Sequence, residues 1–239
     1  MVGFVCLLML SVTAARGFSQ DASAILEKMI EASGGRDALE KIKDTTISGT
    51  FDLTQMGMDG TMTIYHREPN MFRQDLEVMG MLITNAFDGE VAWMVNPQTG
   101  ATEEMPEDRQ ADSKRGALTY GNAVLLHPEK HGVTYKLKGK ETVDDVKCDV
   151  LEQVFEDGHV VTMYINADTH LVHKTKQMAM GQMGTEVDTE IVFSDYKDVD
   201  GMPAPHLVTI YQDGEEFAVM TVSEIKYNSG LEDSLFKME

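Results

Sequence analysis

Two cysteines, one tryptophan, six prolines and half as many basic as acidic side chains set the first limits on this 239-residue sequence. Cys6 falls in an N-terminal apolar run and Cys148 in a strand-like stretch, between Val146 and Val150. If that run is removed, no intramolecular disulfide is possible, and Cys148 reads as a small packed side chain. The formal charge of −20 excludes nucleic acid as a partner, because phosphate neutralisation needs clustered Lys and Arg. It also disfavours docking on an anionic membrane surface. The longest apolar run, Val2–Val12, has about eleven residues, too short to span a bilayer. No Gly-x-Ser-x-Gly elbow, no zinc-ligand spacing and no Gly-rich phosphate loop is present, so nothing nominates an enzyme, a zinc site or a cofactor.

The Val2–Val12 run, followed by Ser11-Val-Thr-Ala-Ala and then polar residues, has the length of a secretory signal. We expect residues 1–19 to be removed, with cleavage after Ala15 or after Ser19. Cys6 lacks a lipobox before it, which argues against a lipid anchor. Residues 20–239 read as one domain. A helix beginning at Asp21 carries Ile25, Met29, Ile30 and Ala32 on one stripe and stops at Ser33-Gly34-Gly35. A short second helix over Arg36–Lys43 places Leu39 and Ile42 on one face.

From Thr45 the period changes to two, with Ile47, Gly49, Phe51 and Leu53 alternating with polar residues. Strands are expected over Thr61–Arg67, Met71–Met79, Met81–Phe87 and Glu90–Asn96, separated by Glu68-Pro69-Asn70, Gly80 and Asp88-Gly89. An acidic stretch leads to a helix from about Glu107 to Ala117, continued loosely to Leu126. Seven further strands follow from Val133, punctuated by the hairpin signals Asp157-Gly158 and Asp213-Gly214. The fold class is mainly β (α+β): a single curled, incomplete antiparallel barrel of about 11 strands, with helices covering an apolar cavity. A sandwich is the rival.

Methionine is the abundant oddity, with 18 residues and the clusters Met56-Gly-Met58, Met79-Gly-Met81 and Met178-Ala-Met180-Gly-Gln-Met183. Three readings stand: core filler near hairpin ends, a surface that adapts to apolar ligands, or soft thioether ligands for Cu(I). His170 and His173, three apart on a strand, point to opposite faces and make poor co-ligands.

Several segments, in this order, resemble a known family: Asp37-Ala-Leu-Glu-Lys-Ile-Lys43, Arg67-Glu-Pro-Asn-Met-Phe72, and Asp88-Gly89 with Trp93 and Asn96-Pro97. Later pieces are Val-x-x-Tyr-Ile-Asn-Ala-Asp-Thr-His-Leu-Val-x-Lys ending at Lys174, Phe193–Pro205 and Leu231–Phe236. Together they are similar to periplasmic lipoprotein carriers of the LolA type and their outer-membrane lipoprotein-sorting relatives. That resemblance implies a periplasmic, non-enzymatic carrier that shelters the acyl chains of a lipoprotein or other lipid, with inner- and outer-membrane transfer partners. It implies a lid-holding arginine, for which Arg67 and Arg73 are the candidates, and an aromatic residue near the mouth, Phe72. Phe51, Ile64, Leu76, Trp93 and Val95 are the candidate cavity lining. The alternative is an exported envelope module with a filled core that binds a protein partner.

Overall fold

The computed structural model describes residues 13–96, 99–181 and 184–238, with side chains from Asp21 onward except that of Asp108. Most of the expected signal segment, Pro97 of the Asn-Pro pair and Met183 of the third methionine cluster lie outside these residues. Helix α1 (Thr13–Ala32) and α2 (Arg36–Leu39) precede six strands: β1 (Asp44–Leu53), β2 (Met58–Arg67), β3 (Met71–Val78), β4 (Met81–Phe87), β5 (Ala92–Val95) and β6 (Thr102–Glu104). Two helices, α3 (Glu107–Tyr120) and α4 (Ala123–Leu126), lead to the second run of strands. These are β7 (Thr134–Val143), β8 (Val146–Val154), β9 (Val160–Asn166), β10 (Val172–Met180), β11 (Glu186–Val199), β12 (Met202–Gln212) and β13 (Glu215–Tyr227).

All thirteen strands join in one antiparallel sheet, ordered β6-β5-β4-β3-β2-β1-β13-β12-β11-β10-β9-β8-β7. The chain starts in the middle, meanders to one edge, crosses through α3 and α4 to the other edge and meanders back. The β1–β13 pair then zips the two halves together. At the Ser48/Gly49 irregularity in that pair, a Cβ on Gly49 would meet the carbonyl oxygen of Thr221, so only glycine fits there. The sheet is not closed, since β6 and β7 remain its two edges. Thirteen strands replace the expected 11 or so. Among them, Thr102–Glu104 is a three-residue acidic strand whose sequence carries no alternation to read.

The ladder fixes which side chains share a face. Pairing of His66 with Phe72, and of Phe72 with Phe87, puts these with Ile64, Met62, Leu76 and Phe51 on the inner face, the one toward α3. Tyr65, Arg73, Ala86 and Trp93 pair in turn on the outer face. Helix α1 begins earlier than expected. Its buried stripe of Ala22, Ile25, Leu26 and Met29 packs on Leu151 and Ile165, an i, i+3, i+4 pattern seated on β8 and β9. Ile30 joins Leu39, Ile42, Leu126 and Met202 in a second cluster, so α2 and α4 lie on the same layer as α1.

The C-terminal segment after β13 folds over the outer face of β1–β5. Asp44 accepts hydrogen bonds from the backbone N–H groups of Ser229, Gly230 and Leu231 at 2.6, 3.0 and 3.4 Å. Phe236, in the 3-10 turn Asp233–Phe236, is completely buried.

Candidate functional site

Strands β1–β4 present an apolar inner face because their alternate positions carry large side chains. Phe51, Met62, Ile64, Val78 and Val222 are buried there, with Phe72, Leu76 and Met220 half-buried around them. Helix α3 (EDRQADSKRGALTY) is polar along most of its length and offers small residues where it meets the sheet. Ala117 packs with Phe87 and Ala92, and Phe72 and Met105 close the cluster. Beneath the helix lies a cavity of about 90 Å³ lined by Phe72, Phe87, Met105, Ser113, Gly116 and Ala117 among others. Ligand pockets typically run to ~300–1,000 Å³, so this apolar hollow under α3 is too small for an acyl chain. The rest of the inner face is filled by the packed clusters.

Polar contacts add to the apolar packing of Ala117, Leu118, Val124 and Leu126 in holding the crossover in place. Gln110 clamps the start of β5: its Nε2 donates to the carbonyls of Ala92 and Met105, both at 2.9 Å, and its Oε1 accepts from Ala92 N–H at 2.7 Å. On the other side of α3, Asp112 Oδ2 accepts from Met180 N–H at 3.1 Å and Arg109 donates to the Gly181 carbonyl at 3.4 Å. Arg115 pairs with both Asp112 and Asp157. Helix α3 thus bridges the two halves of the sheet.

The junction between α3 and α4 rests on the end of β2. His66 Nε2 lies 3.1 Å from the Ala117 carbonyl, so the neutral ring carries its proton on Nε2 and donates. Burial lowers the His66 pKa from 6.5 to about 4, since a charged imidazolium would lose its water. Two residues on, Glu68 Oε1 accepts from Asn122 N–H at 2.6 Å, and burial raises its carboxyl above the ordinary value. Gly121 passes directly over both: a Cβ there would collide with His66 Cε1 and sit 2.7 Å from Glu68 Oε1. Phe72 stacks against Tyr120 with ring centroids 4.7 Å apart.

The expected site residues divide between the two faces. Phe51, Ile64, Leu76 and Phe72 lie on the inner face. Trp93 does not: its indole Nε1 donates to the Phe236 carbonyl at 2.7 Å on the outer face, under the C-terminal segment. Val95, two residues further along β5, shares that face, so both leave the candidate lining. Arg67 and Arg73 do not touch the lid either. Arg67 donates to the Leu231 carbonyl at 3.1 Å and pairs with Asp233. Arg73 donates to the Leu235 carbonyl at 3.0 Å, binds Asp75 at 3.0 Å and stands 5.9 Å over the Trp93 ring. Sequence reasoning missed His66, Glu68 and Gln110. The signal for the first two was parity, since they flank Arg67 and point to the opposite face.

Among the described residues no group of three or more His, Cys, Asp or Glu is arranged to hold a metal, and no helix is long and apolar enough to cross a membrane. Cys148 is buried, and burial raises its thiol pKa.

A family model described as "Uncharacterized protein" matches residues 73–239. No curated protein matches the sequence. Solved structures with the same fold include a DUF1329 family protein from Desulfovibrio piger, 15% identical, covering 90% of this chain and 97% of that one at a TM-score of 0.60. A putative outer membrane lipoprotein-sorting protein domain from Vibrio parahaemolyticus is 11% identical, covering 91% and 97% at 0.60. A LolA superfamily protein from Nitrosomonas europaea is 15% identical, covering 90% and 97% at 0.57.

Proposed function

The chain belongs to the family whose model spans residues 73–239 and has the fold of the LolA superfamily, and we propose that it is an exported, non-enzymatic carrier of lipoprotein acyl chains or a related lipid. On this reading residues 1–19 are a signal peptide, residues 20–239 are the single working domain, and the compartment is the periplasm. The observation that supports it best is the construction of the crossover. A mostly polar helix spans an apolar inner face, packs on it through Ala117, Leu118 and Tyr120, and is tied down by a set of hydrogen bonds and ion pairs. Every acyl methylene taken out of water gains roughly 0.8 kcal/mol, so a cargo chain has ample free energy to displace α3 from the face it covers. The structure is then the empty, closed form.

The small cavity favours a second reading, an exported envelope module with a filled core whose ligand is a protein. Mass spectrometry of organic extracts separates the two. Protein purified without detergent from a periplasmic fraction is extracted directly and again after incubation with native membranes. Stoichiometric lipid or lipopeptide, lost in Phe87→Asp, is the expected result. An empty extract in both cases contradicts the carrier reading and leaves the second.

A further inference from the structure

Eight large apolar side chains are conspicuously exposed among the described residues, and four of them sit together at one end of the sheet. They are Met56 in the β1–β2 turn, and Met79, Met81 and Leu82 in the β3–β4 hairpin, exposed by 43, 86, 52 and 52%. Pairing of Gly60 with Val78 sets the two hairpin tips side by side. The β12–β13 tip joins them through Thr54 N–H to the Phe217 carbonyl at 3.1 Å and Thr54 Oγ1 to Glu216 at 3.0 Å. This rim is the end of β2 opposite the His66–Glu68 clasp; Met81, paired with Val78, borders the inner face there, and Leu82 lies on the outer side.

Met79 is the telling residue. Its φ of 51° and that of Gly80 (80°) give a turn with both central residues left-handed. The same pattern occurs at Asp200-Gly201 and Asp213-Gly214, with the inexpensive Asp in first place. Every other non-glycine with positive φ among the described residues is Asp, Asn or His. An unbranched apolar side chain in that backbone state is strained, and at 86% exposure it gains nothing from the fold. A partner that covers this side chain would supply what the fold does not.

Charge says what kind of partner. Thr50–Met62, Asp75–Thr84 and Asp213–Ala218 contain no Lys or Arg, while Asp52, Asp59, Glu77, Asp213, Glu215 and Glu216 are all exposed. A flexible thioether surface inside an acidic border fits apolar anchors flanked by positive charge. We infer that this rim is a docking surface for a cationic amphipathic segment of a partner protein. An anionic lipid surface is repelled by the same border.

The test uses a synthetic amphipathic Leu/Lys helix as probe, with calorimetry for affinity and the methionine ε-methyl NMR signals for location. Wild type binds, with shifts at Met56, Met79 and Met81. Met79→Asn relieves the strained turn, so it folds with an equal or higher Tm and yet binds at least ~tenfold more weakly. Replacing Leu by Ser, or Lys by Glu, in the probe also abolishes binding. Equal affinity in Met79→Asn, or methyl shifts confined to other methionines, overturns the proposal, because a chain of charge −20 then attracts the probe without a site. So does preferential binding of phosphatidylcholine vesicles over the peptide, which would make the rim a membrane contact. None of these outcomes depends on whether lipid is carried.

Discussion

The same strands, β2–β5, carry a cover on each face, and the two covers are built differently. On the outer face the C-terminal segment is pinned by Asp44, Arg67, Arg73 and Trp93, and Phe236 is fully buried beneath it. Arg73 ties this cover to the ladder as well, through Asp75, which also accepts from Thr84 Oγ1 at 2.8 Å. On the inner face, α3 packs through Ala117 and Leu118 beside a small cavity, and its fastenings are Gln110, Arg109, Asp112 and Arg115, with His66 and Glu68 at the junction to α4. One cover is anchored by a wholly buried phenyl ring with a surrounding shell of charge-assisted bonds. The other buries Ala117 and Leu118 but leaves Tyr120 exposed and borders a cavity. On the carrier reading, the inner cover is therefore the one that opens.

The largest effect that sharpens this contrast is expected from Phe236→Ala. Deleting a wholly buried phenyl ring should cost about 3–5 kcal/mol, read as a fall in the denaturation midpoint of the whole domain. The same truncation on the inner side, Tyr120→Ala, removes a residue that is 45% exposed and should cost much less.

A smaller effect belongs to the inner cover and depends on pH. His66 has a folded pKa of about 4 against 6.5 when exposed, so the unfolded chain binds this proton more readily than the folded one. Stability from this group is intact above about 6.5 and is lost as pH falls toward 4. The loss amounts to roughly 3 kcal/mol by pH 4, from the shift and ~1.4 kcal/mol per unit. Glu68, with its raised carboxyl, acts in the opposite sense as pH falls toward its folded pKa and blunts the drop. His66→Gln should flatten the acid limb measured by denaturant titration at a series of pH values. An unchanged limb would mean that other groups control it. Smaller still is Trp93→Phe, which keeps the ring packing but strands the Phe236 carbonyl, at a cost of roughly 1–2 kcal/mol.

Hairpin chemistry and helix stripes made much of this architecture legible. Asp157-Gly158 and Asp213-Gly214 fall at turns between consecutive strands, and the Met81–Phe87 bounds of β4 agree with the sequence pattern. The faces were harder to read. In β5 the run Ala92-Trp-Met-Val is apolar at every position, because one face meets α3 and the other meets the C-terminal segment. Alternation vanishes when both faces are covered, so Trp93 and Val95 read as lining when they point away from it. Arg67 stood at the expected place along the chain but on the wrong side of the sheet. Its neighbours His66 and Glu68 reach the crossover instead, through contacts with residues about fifty positions later that no local pattern reveals. The C-terminal segment over the outer face was visible only as Leu231–Phe236, one of the pieces that carry the resemblance, with no local sign of the face it covers.

Backbone hydrogen exchange, followed by mass spectrometry on the unliganded protein, tests the central claim most directly. The account predicts that amides in Glu107–Tyr120 exchange through local opening, well ahead of global unfolding, while those in Leu231–Phe236 exchange only with the whole sheet. Equal protection of the two segments, or earlier exchange of the C-terminal one, would contradict it.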